Sequence, residues 1–311
     1  MHSPLLSSAE CTLLKRIDPT HVSQRWQAEL GISWLPESGI KQLEYWRDES
    51  TGLHFYSPSQ AAGDASLYSQ LQRFPWYYME EKWEFDEALK SLKTLPIGSR
   101  VLEIGVGQGA FLDKACGAGL QISGMELNPL AAKAARENGF TIIEKDMASL
   151  YADDPTQWDA ICAFQVLEHL PDPRSFLDQA ISLLKAGGLL ILSVPNAEVA
   201  RKLDPERNDL LDQPPHHMTH WNESIFRSLE SFLPLRLRNV GFEPLAPYHI
   251  SWFVGSWSQR LRMQAGQLTG KAIFNRLSIP VVETALKMGL RSFVRGHTLL
   301  VCFVKTESHA G

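Results

Sequence analysis

Val101-Leu102-Glu103-Ile104-Gly105-Val106-Gly107-Gln108-Gly109-Ala110 sets a short apolar run against three glycines at alternate positions. The run reads as a buried strand, and residues 110–118 behind it read as a helix. Glycines at such a junction let the backbone turn sharply and let a ligand approach to contact distance. Read as Gly105-x-Gly107-x-x-Ala110, the loop also permits a dinucleotide fingerprint. Glu126 ends the next apolar run, where a carboxylate can accept from both hydroxyls of a ribose in either kind of ligand. The loop alone leaves the two open.

Working outward, residues 101–104, 121–125, 141–143, 158–164 and 189–194 read as strands. Residues 110–118, 129–138 and 173–185 read as the helices between them. Asn128-Pro129 places a cap before a first-turn proline, while Gly139 and Gly187-Gly188 supply stops. Strands alternating with helices over short turns imply an α/β fold with a doubly wound, mostly parallel sheet covered on both faces. After Asn196 come a polar loop over 197–220, a helix from Asn222 to about Leu233, and two last strands over 242–250 and 298–304. Ahead of the core, Pro75 and the stripe Trp76, Met79, Trp83, Leu89, Leu92 and Leu95 predict a helix over 75–95. The domain reading is an N-terminal helical or irregular extension over 1–97, a nucleoside-binding core over 98–254, a basic helical insertion over 255–296, and the last strand and tail over 297–311.

Three further features bear on the ligand. Glu103 lies two residues before the glycines, where its charge faces a bound nucleoside. Asp146, in Glu144-Lys145-Asp146-Met147, ends the third strand, placed to accept from an adenine amino group. Gln165-Val166-Leu167-Glu168-His169-Leu170 sets polar groups behind the fourth strand, at the edge where open α/β sheets bind ligands.

In this order and spacing the residues resemble class I S-adenosylmethionine-dependent methyltransferases. Residues 101–109 are similar to motif I of that family, Glu126 to its ribose-binding acid, Asp146 to its adenine-side acid and residues 165–170 to its post-II element. Residues 184–196 are similar to the helix end, turn and fifth strand that follow. The resemblance implies a seven-stranded sheet with its last strand antiparallel, S-adenosyl-L-methionine as cofactor, and a cofactor-binding set of Glu103, Gly105, Gly107, Gly109, Glu126, Leu127, Asp146, Met147 and Gln165. Glu103 stands where aspartate is commoner, and Val106 where a smaller or polar residue is usual.

Methyl transfer mainly requires alignment of the acceptor, and a hydroxyl acceptor gains from a base of near-neutral pKa, the natural task of histidine. His169 follows the fourth strand, and Pro214-Pro215-His216-His217-Met218-Thr219-His220-Trp221 follows the fifth. Proton removal or acceptor binding is assigned to His217, His220 and His169, with a merely turn-orienting His169 and roleless loop histidines as alternatives. The histidine spacing would let two of them share a metal, but no carboxylate or cysteine stands immediately beside them, so no metal is expected. The loop resembles a Pro-Pro-His-His loop of methyltransferases in sugar and polysaccharide pathways. Related enzymes sometimes carry a cysteine pair before a Gly-Leu-x-Phe-x-x-Pro stretch; here Gly52-Leu53-His54-Phe55-Tyr56-Ser57-Pro58 stands without one, so no zinc is expected there. Phe74-Pro75-Trp76-Tyr77-Tyr78 reads as a lid over the cleft or as packing against the sheet.

The predicted activity is transfer of a methyl group to a hydroxyl of a small-molecule or glycan intermediate. The alternatives are a nicotinamide-dependent oxidoreductase and a non-catalytic cofactor-binding protein. A net charge of -5 gives no reason to expect nucleic acid. Between Arg260 and His297, however, seven basic residues face one acid, so this segment is +6 and the rest -11. Residues 256–268 and 280–295 read as amphipathic helices, either a solvated face or a peripheral contact with an anionic membrane. The four cysteines form no CxxC pair, and Cys116, Cys162 and Cys302 read as small buried hydrophobes. With no signal-like start and no long apolar run, a cytoplasmic protein is expected, with contact at the inner membrane face through the basic insertion.

Overall fold

The structure is a computed structural model that describes residues 1–37, 39–153, 157–264 and 278–307. The chain opens with β1 (Cys11–Ile17), α1 (Pro19–Leu30), β2 (Leu43–Asp48), β3 (His54–Ser57) and α2 (Ala65–Leu71). Asp18 caps α1 by accepting from the Thr20 amide, and Asp64 caps α2 by accepting from Leu67. The extension is therefore more regular than its sequence suggested. Its strands build an antiparallel sheet whose fourth member, β9 (Thr219–His220), comes from the histidine loop. Trp26, Leu43, Tyr45, Leu67 and Met218 share the core beneath it.

The helix expected over 75–95 is shorter: α3 is Trp83–Leu92, with Glu84 and Asp86 in its first turn. The aromatic residues before it follow no helical stripe. Phe74 stacks on Trp76 at 5.2 Å, and Tyr77 meets Tyr78 edge-on at 5.0 Å, so ring packing overrides the helical spacing.

The core follows as β4 (Arg100–Ile104), α4 (Ala110–Gly117), β5 (Gln121–Met125), α5 (Pro129–Glu137), β6 (Ile142–Ile143), α6 (Met147–Asp153), β7 (Trp158–Phe164), α7 (Pro173–Leu183) and β8 (Leu184–Pro195). Next come α8 (Ala197–Leu203), β9, α9 (Glu223–Ser228), β10 (Leu235–Pro244), α10 (Ile250–Gln264), α11 (Ser278–Lys287) and β11 (Arg295–Lys305). The seven-stranded sheet has the order β10-β11-β8-β7-β4-β5-β6, and β11 runs antiparallel to both its neighbours. Successive residues face opposite layers, as the period of two requires. Leu102, Ile161, Leu190 and Val301 enter one apolar cluster, while Val101, Cys162, Ile191 and Leu300 enter the other.

Several boundaries depart from expectation. The strand placed at 242–250 is Leu235–Pro244, because Arg236 and Arg238 on this edge strand alternate outward and hide its pattern. The loop over 197–220 contains α8 and β9. The first insertion helix starts at Ile250, and the part of the predicted 256–268 helix beyond Gln264 lies outside the described residues, as do Lys271 and Arg276. The second ends at Lys287, where Gly289, with φ 123°, breaks it before a short turn over Leu290–Phe293. Cys162 and Cys302 are buried, but Cys116 is exposed, since it lies on the outer face of α4.

Candidate functional site

The order of strands reverses beside β4, whose neighbours are β5 and β7, and ligands of open α/β sheets bind at such a switch point. A cleft of about 1660 Å³ opens there. This exceeds the roughly 300–1,000 Å³ typical of a single small-molecule pocket, so it has room for two ligands.

One end is built by the glycine loop. Gly105, Gly107 and Gly109 have φ of 78°, 54° and 89°, which favour glycine. A Cβ on Gly107 would stand 2.7 Å from the ring of Tyr78, so the aromatic segment before α3 lies directly over the loop. Glu126 accepts from the Gly107 amide at 3.0 Å and from the Asn128 amide at 2.8 Å. Each oxygen keeps lone-pair capacity for a ribose hydroxyl. Leu127 is exposed beside it, and Met147 is buried in the cleft wall. Asp146 also lines the cleft, but one of its oxygens caps α6 by accepting from Ser149 at 2.7 Å.

Glu103 is buried in the wall, and its Oε2 has no hydrogen-bond partner among the described residues. Burial pushes its carboxyl up to about 8, with Lys82 acting downward and Glu126 upward. Gln165 holds the left-handed φ of 56°, uncommon for a residue with a side chain and a mark of functional strain. Its side-chain amide donates to Glu84 Oε1 at 3.4 Å. An open glycine backbone, a ribose-suited carboxylate and an orphaned buried acid fit S-adenosylmethionine, whose ammonium would satisfy Glu103.

The other end is the histidine loop. β9 pairs with β3, Met218 donates its amide to the Glu168 carbonyl at 2.7 Å, and Trp26 donates to the Pro214 carbonyl at 3.3 Å. So held, the loop sets His216 and His217 ring to ring at 4.5 Å, with His169 4.6 Å and 5.2 Å from them. His217 Nδ1 lies 3.2 Å from Asp212 Oδ1. An imidazole that donates Nδ1–H to a carboxylate presents Nε2 as a base or ligand. His169 Nδ1 donates to the His216 carbonyl at 2.6 Å, and burial with the nearby His217 lowers its pKa to about 3.

His220 lies elsewhere. It does not line the cleft, and both its nitrogens are engaged: Nε2 with the Asp212 carbonyl at 3.0 Å, Nδ1 with the Tyr45 hydroxyl at 2.8 Å. Its place is in the small sheet, holding the loop rather than facing a ligand. Of the three histidines singled out, His217 and His169 come together and His220 does not. Sequence reading missed Asp212, five positions before His217, along with Glu84 and any separate role for Glu168. A carboxylate one short turn upstream of a histidine pair was the available signal for Asp212. The others join the site only through tertiary packing.

The fold and cleft thus define a nucleoside-binding α/β domain with a polar second compartment. A model of the methyltransferase domain family matches residues 76–245, more than half of the 311 residues, and the chain belongs to that family. The ubiquinone biosynthesis O-methyltransferase of Xylella fastidiosa strain 9a5c is 35% identical over 115 residues, 35% of this chain and 47% of that protein. The protein of the same name from Xanthomonas axonopodis pv. citri strain 306 is 34% identical over 112 residues, 34% of this chain and 47% of that protein. The chain spans about half the length of the curated relatives it matches. Among solved structures, the complex between the Haloferax volcanii Trm112 methyltransferase activator and a methyltransferase is similar in fold, with a TM-score of 0.50 at 16% identity over 74% of this chain and 91% of that one.

Proposed function

We propose that the protein transfers a methyl group from S-adenosylmethionine to a hydroxyl of a small-molecule acceptor, with a glycan intermediate as one form of that acceptor. The observation that carries this reading is the Asp212–His217 pair, which opens into the same cleft as the glycine loop. The names of the curated relatives, O-methyltransferases, support the choice of oxygen.

The cofactor supplies a methyl group already activated by its sulfonium. The protein's part is to bind, align and manage a proton. Gly105 and Gly107 cradle the cofactor's methionine portion, Glu126 and Asp146 hold the nucleoside, and Glu103 meets the ammonium. His217 Nε2 takes the proton of the acceptor hydroxyl, and Asp212 orients the ring and balances the charge it gains. Tyr68, which meets His169 edge-on at 5.6 Å, and Tyr77 wall the acceptor end.

Differential thermal shift tests the first half. S-adenosylhomocysteine should raise the melting temperature and NAD should not; the reverse would favour the oxidoreductase reading. A screen of hydroxylated acceptors with labelled methyl donor tests the second half, and label on nitrogen or carbon would overturn the choice of oxygen.

A peripheral membrane contact is supported by the second insertion helix together with the turn after it and the start of β11. Val281, Met288, Leu290 and Phe293 are 67%, 83%, 57% and 88% exposed, and Lys287, Arg291 and Arg295 accompany them. Apolar side chains beside cations suit an anionic bilayer surface. Co-sedimentation with phosphatidylglycerol vesicles should exceed that with neutral vesicles, and equal absence from both pellets removes the proposal.

A further inference from the structure

Three imidazoles and a carboxylate meet at the acceptor end of the cleft in an arrangement that proton removal by His217 alone does not explain. One ring nitrogen from each of His169, His216 and His217 lies within 4.8 Å of the other two. Each ring is fixed through Nδ1: His169 to the His216 carbonyl at 2.6 Å, His216 to the Leu211 carbonyl at 2.9 Å, and His217 to Asp212 at 3.2 Å. A backbone carbonyl or carboxylate on one ring nitrogen is the usual outer support of a metal-ligating histidine, because it fixes the tautomer and turns the other nitrogen's lone pair to the ion.

The groups left over are the ones an ion would satisfy. His216 Nε2 and both carboxylate oxygens of Glu168 are buried without a hydrogen-bond partner among the described residues. Glu168 Oε1 stands 4.0 Å from His169 Nε2. Orphaned buried polar groups are costly, and these three atoms call for a partner.

We propose that His169, His216 and His217, with Glu168, bind a divalent transition metal. Three imidazoles and one carboxylate suit zinc or cobalt, whereas magnesium and calcium favour all-oxygen sets. Tetrahedral bonds of 2.0–2.1 Å put ligand atoms about 3.4 Å apart, so the rings must close by roughly an ångström. The expectation of no metal rested on the lack of a carboxylate immediately beside the loop histidines. Folding supplies Glu168 and His169 from the end of β7.

The role assigned to the ion rests on the methyl-transfer reading above. Held there, the ion would supply Lewis-acid chemistry that eases the loss of an acceptor hydroxyl's proton to water in the cleft. His217 then serves as a ligand instead of a base.

The test needs no acceptor. Chelated, refolding-free protein is titrated with ZnCl2 and CoCl2 by calorimetry, in parallel with S-adenosylhomocysteine. One zinc or cobalt per chain is expected, at least 100-fold weaker in His216→Ala and about 10- to 100-fold weaker in Asp212→Asn, with S-adenosylhomocysteine affinity unchanged. No stoichiometric metal binding, or binding undiminished in both His216→Ala and His169→Ala, overturns the site. Zinc-edge absorption fine structure on loaded wild-type protein counts imidazoles without any variant, and fewer than two also overturns it. Loss of metal with intact S-adenosylhomocysteine binding leaves the methyl-transfer reading standing with His217 as base. The opposite result sinks that reading and spares the metal.

Discussion

Asp212 Oδ1 stands 3.2 Å from His217 Nδ1 and 3.1 Å from His220 Nε2, so one carboxylate orients two imidazoles that face different compartments. Arg207 closes the group as a buried partner of the same carboxylate. Burial works against its charge, but His220 and Arg207 hold it well below the usual carboxylate range. Asp212 is thereby a charged anchor at the seam between the small sheet and the cleft.

Asp212→Asn should lower kcat at least 10-fold, a typical scale for losing the group that orients a functional histidine. The affinity for S-adenosylhomocysteine should stay within a few-fold, because Asp212 is far along the cleft from the glycine loop. Arg207 loses its counter-charge, so the melting temperature should also fall. Steady-state kinetics with separate kcat and KM checks this, and an unchanged kcat in folded protein refutes the orienting role.

Glu103 gives a pH prediction. Its carboxyl is raised from 4.5 to about 8 by burial, so the folded protein without cofactor favours the neutral form. Below pH 4.5 both folded and unfolded states are protonated and the group makes no difference. As pH rises from 4.5 to about 8 the unfolded chain ionises first and stability falls; above that the full penalty is present. The difference corresponds to a few kcal/mol, on the order of 5 at most. Glu103→Gln should therefore be more stable than the natural protein in urea at pH 8 and similar at pH 4.5. The cofactor's ammonium favours the ionised carboxylate, so binding at pH 7 should release a proton. Calorimetry in two buffers of different ionisation enthalpy reads that release, which Glu103→Gln should lack.

The core was legible because its central strands β4, β7 and β8 are largely buried on both faces and the junctions beside them carry their own punctuation. Asn128-Pro129 opens α5 and Gly109 opens α4, and both act locally. The N-terminal sheet was not legible. In β1, residues alternate only between half-buried and exposed, which leaves a weak apolar signal, and β9 is two residues long. The acceptor end was half legible. His169 and His217 stand out by type, but their convergence depends on β9 pairing with β3, a contact between positions far apart in the chain. The place of His220 was not legible for the same reason: its neighbours Tyr45 and His54 come from that hidden sheet.

Gly107→Ala should weaken S-adenosylhomocysteine at least 10-fold. Its φ of 54° costs a side-chain-bearing residue about 1 kcal/mol or more, and the new methyl group would meet the Tyr78 ring at 2.7 Å. The two effects separate in a double-mutant cycle. Adding Tyr78→Ala should recover the steric part and leave the backbone part. If Tyr78→Ala rescues nothing, the aromatic segment does not press on the glycine loop.

Tyr45 tests whether the small sheet holds the histidine loop. Its hydroxyl lies 2.9 Å from His54 Nδ1 and 2.8 Å from His220 Nδ1. Since His220 donates Nε2–H to Asp212, its Nδ1 accepts from the hydroxyl, which in turn accepts from His54. Tyr45→Phe preserves the ring and strands the buried His220 nitrogen, a cost of about 1–3 kcal/mol, with a smaller loss at the half-buried His54. Chemical denaturation should show that loss. Because His220 and His217 share Asp212, kcat should fall several-fold as well, while S-adenosylhomocysteine affinity stays the same. A stability loss with kcat untouched would mean that the sheet supports the fold without setting the geometry of His217.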